Sequence, residues 1–209
     1  MNNTEFILGV IDLYHNARLS KFKNEKVRRG RSRSVPSDTE DLFANFLFEK
    51  IHCDLIYVDQ PITLDGAKKQ FYPDIVVVKD GVIKAFCDLK MDLGWKRNDL
   101  YNFCKKLKED LRGIKGKKCK IRDGVTKEDK WLNIDNEVSF NIVIVSGKNI
   151  TSDKMEKHKN NIQLLGRDVE LFILSDKKHP NKYGYKPDEL IELMKVNDDE
   201  FERLFQKLG

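Results

Sequence analysis

The pair Asp80-Gly81 sits between two apolar runs, and that arrangement limits what the chain can fold into more than any other feature. Before it stands the β-branched run Ile75 to Val78. After it, Val82 to Leu89 is mostly apolar. Such runs around an Asp-Gly pair read as two strands folded back on each other. Three charges interrupt what would otherwise be plain core: Asp74 just inside the first strand, then Asp88 and Lys90 at the end of the second. A charge at a buried strand position is costly unless it is paired or holds a metal.

Strand parity decides whether the three can meet. Side chains alternate along a strand, so Asp88 and Lys90 share a face. A two-residue loop at Asp80-Gly81 pairs Lys79 with Val82 and sets Asp74 opposite Cys87, on the wrong face. A three-residue loop, Lys79-Asp80-Gly81, pairs Val78 with Val82 and Asp74 with Phe86. Asp74 is then diagonal to Asp88 on one face, with Gly81 at the left-handed position of a bulged turn. Convergence of the three therefore predicts an odd-length loop.

Pro73-Asp74, followed after a short hairpin by Asp88-Leu89-Lys90, resembles the active site of the PD-(D/E)xK nuclease superfamily, the restriction-endonuclease-like fold. The resemblance implies that Asp74, Asp88 and the Leu89 carbonyl hold Mg²⁺, for which Mn²⁺ can substitute, and that Lys90 orients the attacking water. It implies hydrolysis of a DNA phosphodiester. In this superfamily a helix before the hairpin often adds a carboxylate, and Glu40 is the candidate here, with Glu49 and Asp41 as weaker alternatives. Glu40 also stands three residues after Ser37, the spacing of a capping box, so its two readings remain open.

The 209 residues suit one domain, residues 1–209. Thr4 to Arg18 carries apolar residues at helical spacing, and Pro36 to Ile51 reads as a second helix. Between them lies the basic segment Lys21–Arg33, whose Arg29, Arg31 and Arg33 suit phosphate oxygens. Cys53 to Val58 reads as a first strand, and a loop around Gln60 and Gly66 leads into the hairpin. A helix from Trp95 or Asn98 to Leu111 is followed by the basic connector Gly113–Gly124, read as a loop. Val138–Val145 is a central strand, Ser152 or Asp153 caps a helix to Leu165, and Val169–Leu174 is another strand, an order that implies a parallel crossover. The loop Asp176–Lys186 offers Lys177, Lys178, Asn181 and Lys182 as DNA contacts. Pro187 opens a helix to Val196, and Asp198 caps the last. The sum is α/β, with a mixed central sheet of antiparallel meander plus parallel crossover, flanked by helices.

The formal net charge is +5, and because acidic side chains outnumber basic ones in residues 131–209, the excess lies in the first part of the chain. That bias suits a polyanion. Cys53, Cys87, Cys104 and Cys119 have no C-x-x-C spacing, which argues against zinc. The first residues lack the basic segment of a signal peptide, and no apolar run is long enough to span a bilayer, so the expected setting is the cytoplasm. The expected partner is double-stranded DNA, cut by a homodimer at a symmetric site in the manner of a type II restriction endonuclease. A structure-specific or repair nuclease of the same fold, and a non-catalytic binding module, are the alternatives.

Overall fold

The structure is a computed structural model describing residues 1–21, 26–66, 70–94, 96 and 98–209. Parts of the Lys21–Arg33 segment and of the Asp59–Gln70 loop, and Trp95 as a helix start, lie outside these residues.

Two helices come first. Helix α1 (Asn3–Ala17) begins with a reciprocal cap: the Asn2 side chain accepts from the Glu5 amide, and the Glu5 carboxylate accepts from the Asn2 amide. Helix α2 (Pro36–Lys50) starts from Val35, with Pro36 in its first turn, where a missing amide hydrogen costs nothing. Ser37 is therefore already inside the helix, and the Ser37–Glu40 capping box does not form. The cap reading of Glu40 falls.

The strands are β1 (Leu55–Val58), β2 (Ile62–Leu64), β3 (Gln70–Phe71), β4 (Ile75–Lys79), β5 (Val82–Lys90), β6 (Lys118–Arg122), β7 (Asp129–Ile144), β8 (Val169–Ile173), β9 (Ser175–Asp176) and β10 (Lys195–Val196). Helices α3 (Leu100–Arg112), α4 (Ser152–Gln163), α5 (Pro187–Glu192) and α6 (Asp198–Leu208) complete the set. The main sheet runs β1-β4-β5-β7-β6-β2-β3, and β8 also pairs with β7. The long β7 organises it. Along one side it runs parallel to β5; along the other it meets β6 antiparallel over Asp129–Asn133 and β8 parallel over Phe140–Ile144. The expected crossover is β7–α4–β8.

Helices cover both faces of the β4-β5-β7-β8 region. Ile75, Val77, Ala85, Cys87, Leu89, Val143 and Phe172 pack with α1, α2 and α6. The alternate residues Val76, Val78, Phe86, Phe140, Ile142 and Leu171 pack with α3 and α4. Burial on both sides is why these strands read as continuous apolar runs.

The hairpin turn corrects the expectation. Lys79 pairs with Val82, so the loop is the two residues Asp80-Gly81, both left-handed at φ 54° and 69°, as a type I′ turn requires. Parity is recovered by a β-bulge instead. Val78 opposes Ile83 but Val77 opposes Ala85, leaving Lys84 as the extra residue, and the register then runs on to Ile75 opposite Cys87. Continued by one residue, that register sets Asp74 directly opposite Asp88, not diagonal to it.

Other boundaries shift as well. The connector Gly113–Gly124 contains β6, and the loop after Gln60 contains β2. The first strand begins at Leu55, not Cys53. Thr151 and Asn197, rather than Ser152 or Asp153 and Asp198, are the N-caps of α4 and α6. The helix from Pro187 stops at Glu192, because Lys195–Val196 turns to pair with β9.

Candidate active site

The site is built at the end of the hairpin remote from the turn. Lys90 Nζ lies 3.1 Å from Asp74 Oδ2 and 2.5 Å from Asp88 Oδ1. Asp74 Oδ2 also accepts from the Leu89 amide at 2.7 Å. The Lys90 carbonyl accepts from Val145 on the β7 side, so the Leu89 peptide, which alternates with it, faces Asp74. Asp74, Asp88 and Lys90 thus converge on the sheet face that carries Phe86 and lies under α3. The Asp88 and Asp74 side chains are 13% and 19% exposed, shielded yet open enough to meet a ligand.

The electrostatics show a shortage of positive charge. Burial pushes the Asp88 carboxyl up, the hydrogen bond with Asp74 adds to this, and its pKa is raised to about 6 in spite of Lys90. Burial alone pulls the Lys90 ammonium down, but Asp88 and Asp74 outweigh it and the net direction is up. Glu40 is pushed to about 6, first by burial, then by the charges of Asp74 and Asp59. Glu40 thus lies within electrostatic reach of the pair it was expected to join. One ammonium does not neutralise these carboxylates, so the site favours a further cation or a bound proton.

The donor set suits a hard cation. Among the described residues, no group of three or more His, Cys, Asp or Glu is placed to hold a metal unaided. Mg²⁺ does not need such a cage, since it keeps several waters and takes one or two carboxylates. Asp74, Asp88 and the Leu89 carbonyl are the groups that could hold such an ion, with Glu40 within electrostatic reach.

The expected DNA contacts fare unevenly. Arg29 and Arg31 are exposed, with Arg29 Nε donating to the Arg31 carbonyl at 3.0 Å. Arg33 is tied down: its amide donates to the Ala17 carbonyl and its guanidinium to the Asn16 carbonyl at the end of α1. Asn181 is also engaged, since its carbonyl and Oδ1 accept from Arg18, which lies over the Tyr183 ring. Lys177 and Lys182 are exposed and Lys178 is half-buried.

Two features escaped the sequence. Asp59, at φ 47°, donates its amide to the Asp74 carbonyl and brings its own charge toward Glu40. Asp92, just past Lys90, holds His179: Nε2 is 3.2 Å from Asp92 Oδ2, while Nδ1 accepts from the Asn181 amide at 3.0 Å. Asn149 and the Gly94 amide also donate to Asp92. This cluster fastens the Asp176–Lys186 loop beside the site. Neither had a local signal: Asp59 is followed by Gln60 and Pro61, an ordinary turn sequence, and no local spacing links Asp92 to His179.

In comparisons with known proteins, no family model, no curated protein and no solved structure matches the chain.

Proposed function

We propose that this chain is a metal-dependent DNA endonuclease with a restriction-endonuclease-like fold. The convergence of Asp74, Asp88 and Lys90 at one strand end carries the reading. The order of two helices, an antiparallel meander and a parallel crossover supports it. Mg²⁺ or Mn²⁺ is the cofactor, held by Asp74, Asp88 and the Leu89 carbonyl, with Glu40 completing the acidic surround. When bound, the cation offsets charge on the phosphate and acidifies a water.

The chain's own groups do the rest. Asp74 is fixed by the Leu89 amide, so its free oxygen has a set direction. Lys90 already acts as a hydrogen-bond donor, and a phosphate oxygen or attacking water entering the site takes the place of a carboxylate in accepting from it. Its charge then stabilises the negative charge that builds up during in-line attack. Glu40, partly protonated near neutrality, is placed to accept or hold a proton at its carboxyl. The finer reading is a type II restriction-like homodimer that cuts double-stranded DNA, one site per strand; a structure-specific nuclease of the same fold is the second.

Plasmid DNA incubated with the protein and Mg²⁺ tests this. Wild type nicks or linearises it, Asp88→Asn loses activity by on the order of 1,000-fold, and Glu40→Gln loses roughly 10- to 100-fold. Glu40→Gln does not lower the melting temperature, because Glu40 caps nothing and its charge is disfavoured where it stands. Cleavage by Asp88→Asn at the wild-type rate refutes the assignment.

A further inference from the structure

The strands β3, β2, β6 and the first part of β7 form a second region of sheet. Their inward residues Ile62, Cys119, Ile121 and Ile134 belong to the core under α3. The Phe71 ring turns in against Phe86 and Phe140, at 5.1 and 5.8 Å between centroids. The opposite face is bare: among the described residues, none from β2, β3 or β6 belongs to the core made by α1, α2 and α6.

Register assigns the side chains on that bare face. Gln70 opposes Thr63, Thr63 opposes Lys120, and Lys120 opposes Trp131. Directly opposed residues share a face, so the four form one row across the strands, about 15 Å long at the usual strand spacing. Lys118 and Arg122 flank Lys120 on the same face. Aromatic rings stand at both ends. Trp131 is 49% exposed, with the Lys118 ammonium 5.3 Å from its ring centre. Tyr72 is 62% exposed, and its hydroxyl bonds to Gln70 Oε1. The segment 113–133 holds seven Lys or Arg against three Asp or Glu, which supplies most of the chain's positive excess.

The near end of the row is tied by the backbone to the segment that carries Asp74, although by register the row lies on the sheet face opposite Asp74, Asp88 and Lys90. Tyr72 is followed by Pro73 and Asp74. Gln60 donates to the Arg122 carbonyl at 3.1 Å, and the adjacent Asp59 amide donates to the Asp74 carbonyl at 2.8 Å.

We propose that this bare sheet face binds an unpaired nucleic-acid strand, with bases stacked on Trp131 and Tyr72 and phosphates met by Lys118, Lys120 and Arg122. The charge of the face selects a polyanion. The exposed rings select unpaired bases, because a duplex buries its base faces in its own stack. The proposal rests on the nuclease reading for its biological sense, and it sharpens that reading toward substrates with a single-stranded part.

The test uses the full chain in a chelator, so that binding is read without cleavage, with a fluorescently labelled single-stranded oligonucleotide and its duplex followed by anisotropy. The single strand binds more tightly than the duplex. Trp131→Ala weakens single-strand binding by about 5- to 100-fold, and Trp131→Phe restores most of it, which mere loss of charge or fold would not produce. No oligonucleotide binding, equal affinity of Trp131→Ala and wild type, or tighter binding of the duplex overturns the proposal. The two readings fail separately. Mg²⁺-dependent cleavage by wild type with unchanged Trp131→Ala binding defeats only the platform. Weakened Trp131→Ala binding in a protein that never cleaves defeats only the nuclease.

Discussion

The sheet has two halves that solve the same packing problem differently. In the half made of β4, β5, the later part of β7 and β8, helices cover both faces, and most residues are apolar. In the half made of β3, β2, β6 and the start of β7, only one face is covered, and the strands alternate, as in Lys118-Cys119-Lys120-Ile121-Arg122. The difference separates two tasks. The covered half can hold charges rigidly at low solvent exposure, which is where Asp74, Asp88 and Lys90 stand. The open half can present cations and rings to a large ligand. They meet at Phe71, Phe86 and Phe140.

That joint gives the largest expected effect. Phe86 is fully buried and touches both other rings. Phe86→Ala costs about 3–5 kcal/mol, measured by chemical denaturation, whereas Trp131→Ala on the open face stays within about 0.5 kcal/mol of wild type. Equal losses at the two positions would mean that the open half is as deeply packed as the covered one.

The same contrast explains what could be read from the sequence. The covered half was legible: β-branched runs around Asp80-Gly81, then Val138–Val145 and Val169–Leu174, mark strands by composition alone. The meeting of Asp74, Asp88 and Lys90 was legible through parity, but the device that achieves it was not. A three-residue turn and a two-residue turn plus a bulge at Lys84 give the same parity, and the bulge is set by tertiary pairing, with Lys84 bonded to Asp135 on β7. β6 reads as a connector because its outward lysines dominate its composition, although Cys119 and Ile121 alternate with them. Glu40 was half legible. The capping spacing from Ser37 was misleading because Pro36, fixed in φ, takes the first turn itself.

A lysine–aspartate pair occurs in each half, and the two should respond oppositely to pH and mutation. Lys120 and Asp129, 38% and 43% exposed, are screened, so Asp129→Asn changes stability by less than about 1 kcal/mol at any pH. Asp88 is shielded and its pKa is raised to about 6 from 3.8, so the folded state holds that proton more tightly than the unfolded chain does. Its contribution is most favourable below the unfolded value and is lost as pH rises through about 6. In a chelator, Asp88→Asn therefore gains on wild type across that window, by about 2–3 kcal/mol at pH 8. Added Mg²⁺ reverses the order, since it stabilises only the chain that binds it. Melting curves from pH 4 to 8, with and without Mg²⁺, check both signs. A variant that instead loses ground as pH rises would show that Lys90 already satisfies the pair.

The smallest effects come from the two turns, one in each half, which should answer to opposite substitutions. Gly81 is left-handed at φ 69°, and a Cβ added there meets nothing within 4 Å. Gly81→Ala thus costs only the conformational penalty, about 1 kcal/mol. In the β6–β7 turn, Lys127 takes the same left-handed region at φ 62° without being glycine. That turn is held by Asp123 Oδ1, which accepts from the Val125 and Thr126 amides, each at 2.8 Å. The Lys127 ammonium also bonds to the Gly124 carbonyl at 2.6 Å, but at an exposed position this adds little. Lys127→Gly should therefore stabilise by about 0.5–1 kcal/mol, less the extra freedom that glycine gives the unfolded chain. Urea denaturation of the two single variants and the double reads the signs directly. The double variant should lie near wild type, because turns in separate halves share no partner. A sum that departs from additivity by more than about 0.5 kcal/mol would show that the halves are coupled through the long β7, and that a ligand on the open face can be felt at Asp88.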